Sequence, residues 1–271
     1  MKKTFCFLLL FLTTIACTLS FASPSFDDKA STQVAVVLTA TALDQQLKKP
    51  TDTQQMNPEP IVEEPSASPI PTPSDNPKDD LGSPSWQDDL STGKFWSLED
   101  GDAVFGNTTF SHTNGTMQAQ SNTTNEGNIW YLTYLTFQDA YLEADFNAPN
   151  CSGNDQYGLV FRSPDYTSGN AFYFHVTCDG KYDLRKWTAG GSSMLLNMPS
   201  SDKLNQGPGS KNTLGIWSKG PIIRLYINGY FIDEVNDSDL INNGHFGIFI
   251  NAKQTPGLKV QLDRIGYWII S

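Results

Sequence analysis

Aromatic, basic and acidic side chains alternate with apolar ones in several short runs near the middle of the chain. In the run 172–177, Phe172, Phe174 and Val176 form an apolar set, whereas the residues between them are polar or amphipathic. A period of two is typical of a β-strand with one face in the core and the other face outside. The outward positions of this run and its neighbours are candidate functional residues: Tyr141, Glu143, Asp145, Arg162, Tyr173, His175, Asp183, Arg185 and Trp187.

These residue types together suit the recognition of sugars. Aromatic rings stack on the CH faces of pyranoses, and arginine and carboxylate groups make paired hydrogen bonds with neighbouring hydroxyls. The structural alternative is that Tyr173 with Arg185, and His175 with Asp183, are cross-strand pairs that stabilise the sheet. We predict a glycan-binding groove on one concave sheet face, formed by Arg162, Tyr173, His175, Arg185, Trp187 and Tyr141.

Turn signals separate about a dozen runs of this kind between Trp86 and the C-terminus, a spacing typical of sandwiches and barrels. Asn114-Gly115, Asp179-Gly180 and Asn228-Gly229 supply the positive φ angles that tight hairpins need. No helical periodicity of comparable length competes in this region. The sequence therefore predicts an all-β domain over residues 85–271, built as a two-sheet antiparallel β-sandwich or jelly roll.

The turn after the run 172–177 decides how that run aligns with the next one. To keep both apolar sets on the core side, the loop must contain three residues, Cys178–Gly180. Gly180 would then take the left-handed conformation that this hairpin type requires. In the resulting register, His175 lies opposite Asp183.

Several of these runs resemble the strands of concanavalin A-like lectin and glucanase jelly rolls. The likeness is nearest to the 3-keto-disaccharide hydrolase-like branch of secreted bacterial proteins, and it covers roughly residues 90–271. It implies a jelly roll that acts as a lectin, a hydrolase or a structural adhesion module, because the superfamily contains all three. The residues that carry the likeness are Tyr157–Arg162, Tyr173-Phe174, Asp179–Arg185 and Leu225–Gly229.

The resemblance to glucanases raises the question of catalytic carboxylates. A retaining glycosidase needs two carboxyl groups about 5 to 5.5 Å apart on either side of the scissile bond. Glucanases of this superfamily carry them on one strand, as Glu-x-Asp-x-x-Glu or Glu-x-Asp-x-Glu. Glu143 and Asp145 match the start of that motif, but Asn147 and Ala148 stand where the second glutamate belongs. The acid/base partner is therefore missing.

A histidine and an aspartate offer a second kind of chemistry. The carboxylate of Asp183 could orient the imidazole of His175 as a general base. No serine or cysteine nucleophile motif accompanies this pair. We assign no catalytic residue, and a secreted glycoside or keto-disaccharide hydrolase is the alternative function, with the weak candidates Glu143, Asp145, His175 and Asp183.

The first residues of the chain predict export. A basic start, Met1–Lys3, precedes an apolar run from Phe5 to Ile15, which is typical of a signal peptide and too short to span a bilayer. Cleavage after Ala22 would release a secreted or cell-surface protein, and this is the interpretation that we prefer. The alternative is a lipobox at residues 14–17, with a lipid on Cys17 that anchors the protein to a membrane.

A linker follows the predicted signal peptide. Most of the 16 prolines lie between Pro50 and Pro84, among Ser, Thr, Asp and Glu residues. Such a composition buries too little apolar surface to offset the entropy of ordering. We predict a disordered linker over residues 23–84, with a weak signal for a short helix at 31–47.

Charge and cysteine content restrict the partners and the compartment. The net charge of −11 disfavours nucleic acid, so the predicted partner is a carbohydrate or a glycan-bearing surface. Cys151 and Cys178 lie within the predicted domain and predict one disulfide in an oxidising compartment. No metal or cofactor is predicted. Asp139 and Asp263 lie near expected strand ends, which would suit calcium, but no loop has the ligand spacing of a dedicated calcium site.

Overall fold

The computed structural model describes residues 76–271. The predicted signal peptide, the lipidation site at Cys17, the helix at 31–47 and linker residues 23–75 lie outside the described residues. The prediction of disorder is wrong for residues 76–84, because this end of the predicted linker includes a short helix and packs on the domain through Lys78 and Gly82. Within 76–271, strands account for nearly all regular structure, apart from a short helix, α1 (Lys78–Leu81), and a 3₁₀ turn at Lys94–Trp96. The prediction of an all-β, two-sheet antiparallel sandwich is confirmed.

Most strands are short, as the frequent turn signals predicted. In chain order they are β1 (Trp86–Asp88), β2 (Ala103–Phe105), β3 (Thr108–Thr113), β4 (Thr116–Ser121), β5 (Ile129–Phe137), β6 (Ala140–Ala148), β7 (Gln156–Ser163), β8 (Ala171–Thr177), β9 (Tyr182–Thr188), β10 (Gly191–Met194), β11 (Ser210–Lys219), β12 (Ile222–Ile227), β13 (Tyr230–Asn236), β14 (Gly244–Asn251) and β15 (Leu258–Ile269).

The strands form two sheets with the hydrophobic core between them. Sheet A has nine strands in the order β13-β12-β11-β6-β15-β4-β3-β2, with β1 paired to β15. Sheet B has six strands in the order β10-β9-β8-β7-β14-β5. The apolar sets predicted to face inward do so, since Leu159, Phe161 and Phe174 of sheet B lie in one buried cluster with Phe146 and Leu262 of sheet A.

The hairpin between β8 and β9 has the predicted register. His175 pairs with Asp183, and Tyr173 pairs with Arg185. Gly180 has a φ of 90°, a conformation in which any side chain would be strained. The glycine therefore sets the three-residue turn that aligns the two strands.

Cys151 and Cys178 form the predicted disulfide. It joins the loop before β7 to the turn after β8, across a sequence separation of 27 residues. Closing a loop of this length stabilises a fold by about 3 to 4 kcal/mol on the loop-entropy estimate. No helix within residues 76–271 has the length and apolar character needed to cross a bilayer.

Candidate functional site

The predicted site residues do not share one face. Tyr141, Glu143 and Asp145 lie on β6 in sheet A, whereas Tyr173 and Arg185 lie on strands of sheet B. The expectation of a single face is therefore wrong. Alternation shows which side chains of a strand point outward, but it does not show which sheet the strand joins. β6 joins sheet A by pairing with β11 and β15, which are far away in the sequence.

Arg162 does not point outward as alternation predicted. It has a φ of 55°, next to an irregularity between His245 and Gly247 of the paired strand β14. Because of this local change in the backbone, Arg162 does not follow the inward–outward alternation of β7. The residue is only 1% exposed. Its Nη2 lies 3.6 Å from Oδ1 of Asp139, and burial lowers the pKa of the guanidinium.

His175 and Asp183 are buried within the outer layer of sheet B. Nδ1 of His175 lies 2.7 Å from Oδ1 of Asp183, and Nε2 lies 2.9 Å from the amide nitrogen of Asn128. The amide donates to Nε2, so the ring is neutral with its proton on Nδ1. Burial lowers the pKa of His175, which favours the same neutral state. The pair acts as a cross-strand link, and neither side chain contacts solvent.

Tyr173 is also buried, beside Phe249, Val160 and Ala171 in a small cluster on the outer side of sheet B. Its hydroxyl donates to the carbonyl of Gly169 at 2.9 Å. The ring therefore fills space within the domain, and its expected exposure is wrong.

Arg185 and Trp187 are the members of the predicted set that reach solvent on sheet B. Nε and Nη2 of Arg185 each lie 2.8 Å from Oδ2 of Asp183, which holds the guanidinium against the sheet. Trp187 is 41% exposed near the end of β9. A ring and a fixed guanidinium on one strand are suited to contact a sugar.

Glu143 and Asp145 are bound to cations. Glu143 is buried and accepts bonds from Lys78 Nζ at 2.8 Å and Arg264 Nη2 at 2.6 Å. It also accepts a bond from the Tyr141 hydroxyl at 2.9 Å, and Tyr141 is itself buried rather than exposed as predicted. Asp145 lies 2.7 Å from Nε of Arg264. Charge pairing within the protein therefore occupies both carboxylates.

A cleft of about 550 Å³ opens beside β5, the edge strand of sheet B. Its walls come from the Lys94–Trp96 turn, β2, β5 and the loop between β7 and β8. None of the described residues that line it is charged. We call it the aromatic cleft because its lining includes Phe95, Trp96, Phe105, Trp130, Tyr131, Tyr134 and Tyr166.

Rings behind the cleft hold the rings that line it. Phe95 packs between Trp86 and Tyr134, with centroid distances of 5.1 Å and 5.7 Å. Tyr131 stacks on Phe110 at 5.1 Å. The lining is therefore fixed by packing before any ligand arrives.

A buried aspartate positions the wall formed by the Lys94–Trp96 turn. Asp88 accepts the indole N–H of Trp96 at 3.2 Å and the backbone N–H of Leu90 at 2.8 Å. Burial raises the pKa of Asp88. At Gly93, just before the turn, φ is 67° and a Cβ would lie 3.0 Å from the His112 ring. The hydrogen bonds of Asp88 and the tight packing at Gly93 together fix the position of the turn.

Sequence reasoning missed the aromatic cleft because its residues come from distant segments. A local signal does exist in Ile129–Tyr134, where aromatic residues occupy both parities of the alternation. Aromatic side chains on both sides of a strand indicate that neither side is an ordinary solvated face.

The described residues contain no group of three or more His, Cys, Asp or Glu side chains arranged to hold a metal ion. Of the two aspartates considered for calcium, Asp139 accepts the backbone N–H of Gly220 at 2.9 Å. Asp263 lies beside a smaller cavity with Asp145.

Solved structures with this arrangement of sheets are numerous. A Bacillus subtilis protein of unknown function with a galectin-like fold aligns with a TM-score of 0.51 and 17% identity, over 70% of this chain and 97% of the other. This domain has the same galectin-like fold. A carbohydrate-binding module from Bacillus subtilis aligns with a TM-score of 0.47 and 19% identity, over 58% of this chain and 91% of the other.

A GH43 protein of Bacillus licheniformis aligns with a TM-score of 0.48 and 12% identity, over 68% of this chain and 39% of the other. The chain matches no protein-family model and no curated protein. At 17% identity, the likeness to the galectin-like protein shows the fold alone, and function has to be argued from the site.

Proposed function

We propose that this protein is an exported carbohydrate-binding module that holds its glycan in the aromatic cleft. The observation that carries the proposal is the exposure of several rings around one cavity. Phe105, Tyr134 and Tyr166 are 44%, 47% and 51% exposed, although large aromatic side chains normally lie inside a domain. Exposed aromatic patches on a folded surface usually mark a binding site.

The composition of the cleft favours a neutral glycan. Pyranose CH faces stack on aromatic rings, and four of the lining residues carry hydroxyl groups that can hydrogen-bond to a sugar, namely Ser97, Thr167, Tyr134 and Tyr166. Because no charged described residue lines the cleft, it offers no counter-ion to a carboxylate, sulfate or amine. An uncharged sugar avoids that desolvation cost.

The open edge of β5 supplies further hydrogen-bonding groups. Within residues 76–271, no strand pairs with the outer edge of β5, because β5 ends sheet B on that side. The backbone N–H and C=O groups along such an edge lack strand partners. They are suited to bind sugar hydroxyls next to the rings.

The positions of the acidic groups support binding rather than hydrolysis. Glu143 and Asp145 are held by Lys78 and Arg264 on sheet A, away from the cleft. His175 and Asp183 are buried in sheet B. Binding in the aromatic cleft needs none of these groups, because none of them lines it.

Export is supported by two independent features. The N-terminal residues predict a signal peptide, and Cys151 and Cys178 form a disulfide. Disulfides persist mainly in oxidising compartments outside the cytoplasm. A linker between the signal and the domain would hold the cleft at a distance from a surface.

Glycan binding by the chain without its predicted signal peptide tests the proposal. Neutral and charged oligosaccharides are screened on an array, and the affinity of the best neutral ligand is measured by calorimetry. Tyr134→Ala and Tyr166→Ala are each expected to weaken binding by about 2 kcal/mol, as for an interface anchor. Each should change the free energy of unfolding by less than about 0.5 kcal/mol, because the rings are exposed.

Trp187→Ala is the matched control, since Trp187 is similarly exposed at the opposite side of sheet B. It should leave affinity unchanged if the glycan lies in the cleft. Loss of binding in Trp187→Ala alone would place the ligand on Arg185 and Trp187 instead. Reducing-sugar release from the same panel would indicate a hydrolase, and the absence of any ligand would contradict the proposal.

A further inference from the structure

The segment before β1 lies across the outer face of sheet A. We call residues 76–85 the strap. Lys78 reaches Glu143, the carbonyl of Gly82 accepts the indole N–H of Trp268 at 2.8 Å, and the backbone N–H of Ser85 donates to Tyr267 at 2.9 Å. Leu81 packs against the cluster of Tyr141, Tyr226 and Trp268. The strap therefore covers an aromatic and acidic surface.

The strap is weakly held. Its helix α1 has only four residues, none of them buried, and the side-chain bond at its N-terminus is long, from the backbone N–H of Lys78 to Oδ1 of Asn76 at 3.3 Å. A helix of this length is not stable by itself in water. Its position depends on the buried Pro77, the Lys78 ion pair, the Leu81 contact and a few hydrogen bonds. Because these contacts are few, local opening should be frequent compared with global unfolding.

The surface under the strap has an ordered layout. Trp217, Tyr141 and Trp268 pair directly across β11, β6 and β15, which forms one row of rings. Two residues further along β6, on the same face of the sheet, Glu143 lies between Gly215 of β11 and Gly266 of β15. The two glycines leave room beside the carboxylate, which the Tyr141 ring fills over Gly215 and the Gln87 side chain borders at Gly266.

The charges on this surface are balanced only with the strap in place. Glu143 and Asp145 share one guanidinium, that of Arg264. The Lys78 ammonium supplies the second positive charge, and its side chain is 35% exposed while that of Glu143 is 1% exposed. When the strap leaves, two carboxylates face one cation beside a row of rings.

We propose that the strap is an intramolecular occupant of a second ligand site, which binds an amino-sugar chain when the strap opens. A protonated amine on the ligand replaces the Lys78 ammonium at Glu143. The apolar face of the pyranose ring replaces Leu81 on Tyr141 and Trp268. This site is separate from the aromatic cleft. It selects a positively charged sugar, whereas the cleft selects a neutral one.

Weakening the strap tests the proposal. Lys78→Ala/Leu81→Ala, made in the chain without its signal peptide, is expected to bind glucosamine oligomers at least tenfold more tightly than the wild type. Asp80→Ala is the matched control, because Asp80 is exposed on the same helix and its side chain makes no hydrogen bond or ion pair. It should bind like the wild type. N-acetylglucosamine oligomers, which lack the charge, should not gain affinity.

The chain has six tryptophans, so the change in fluorescence quenching relative to the wild type reports the opening. Trp268 is buried, so iodide quenching should rise in the opened variant and not in Asp80→Ala. If the double variant does not fold, Lys78→Ala alone is used, with a smaller gain expected. In the opened background, Glu143→Gln should remove the preference for glucosamine over N-acetylglucosamine, with folding checked by denaturant unfolding.

Three results would overturn the proposal: no gain in affinity in a folded, opened variant, a gain that survives Glu143→Gln, or a gain only for lysine-containing peptides. The experiments distinguish failure of this second-site proposal from failure of the proposal that the aromatic cleft binds a glycan. Tyr134→Ala in the opened background should keep glucosamine binding if the two sites are separate.

Discussion

The outer face of sheet B and the aromatic cleft at its edge both carry aromatic side chains, but only the cleft presents them to solvent. On the face, Tyr173 and Phe249 are 2% and 0% exposed, whereas Tyr134 and Tyr166 in the cleft are 47% and 51% exposed. On the face, the Tyr173 ring of β8 reaches across β7 to pack on Phe249 of β14, with Trp130 of β5 beside them. An outward position on a strand is therefore not the same as an exposed one.

The two regions also differ in how their polar groups are satisfied. On the face, Arg185 bonds to Asp183, and Oδ1 of Asp183 lies 2.7 Å from Nδ1 of His175. The His175 ring also bonds to the Tyr173 carbonyl and to Asn128. Around the cleft, the Thr167 hydroxyl donates to Asp165 and the Tyr166 hydroxyl bonds to His245. The hydroxyls of Ser97 and Tyr134 bond to no other described residue, and the outer edge of β5 has no strand partner within residues 76–271. A surface whose groups are already paired gains little from binding, because each new bond replaces an existing one.

Removing a ring from the outer face gives the strongest test of this contrast. Phe249→Ala is expected to lower the free energy of unfolding by about 3 to 5 kcal/mol, because it leaves a cavity in a buried cluster. Denaturant unfolding measures the loss. Phe174→Ala, on the core side of the same sheet, is the reference and should cost a similar amount. A loss below about 0.5 kcal/mol for Phe249→Ala, as at an exposed site, would show that the face is open.

The support behind the cleft gives the next test. Asp88→Ala leaves the buried indole N–H of Trp96 without its acceptor and should cost about 1 to 3 kcal/mol. Affinity for the cleft ligand should fall as well, since the Lys94–Trp96 turn loses its anchor. Asp89→Ala, at the exposed neighbour, is the control. It removes an exposed bond from the Ser91 backbone N–H, so it should cost less than Asp88→Ala and leave affinity unchanged. If Asp88→Ala is destabilised but binds the ligand with unchanged affinity, the Lys94–Trp96 turn does not form part of the binding site.

The buried histidine makes the face sensitive to pH. Burial lowers the pKa of His175 in the folded state, so the unfolded chain takes up a proton first as the pH falls below about 6.5. Stability should then decrease with falling pH, by at most about 1.4 kcal/mol per pH unit from this group. His175→Gln should flatten the dependence between about pH 6.5 and 5. If the free energy of unfolding of the wild type and of His175→Gln depends on pH with the same slope, other titratable groups cause the pH dependence.

The smallest expected effect concerns Trp187. Trp187→Ala should change the free energy of unfolding by less than about 0.5 kcal/mol, because the ring is exposed near an edge of sheet B. Thermal unfolding beside Phe174→Ala measures the difference. A drop in melting temperature as large as that of Phe174→Ala would show that Trp187 packs like a core residue.

Local sequence features were enough to predict much of the fold. Alternation assigned Leu159, Phe161 and Phe174 to the core, since the side-chain period of a strand is a local property. Gly180 set the β8–β9 register, because only glycine adopts the required φ without strain. Cys151 and Cys178 were the cysteines within the domain, so their pairing followed from the compartment.

The tertiary structure decided which of these side chains a ligand can reach. The membership of β6 in sheet A depends on its pairing with β11 and β15, and the aromatic cleft depends on the turn at Lys94–Trp96 meeting β5. Such contacts join segments far apart in the chain, and no local pattern specifies them. Burial of Tyr173 and exposure of Tyr134 likewise depend on neighbouring strands rather than on each residue's own strand. Sequence alone therefore determined the strands and their inward sides, whereas packing between distant segments determined the site.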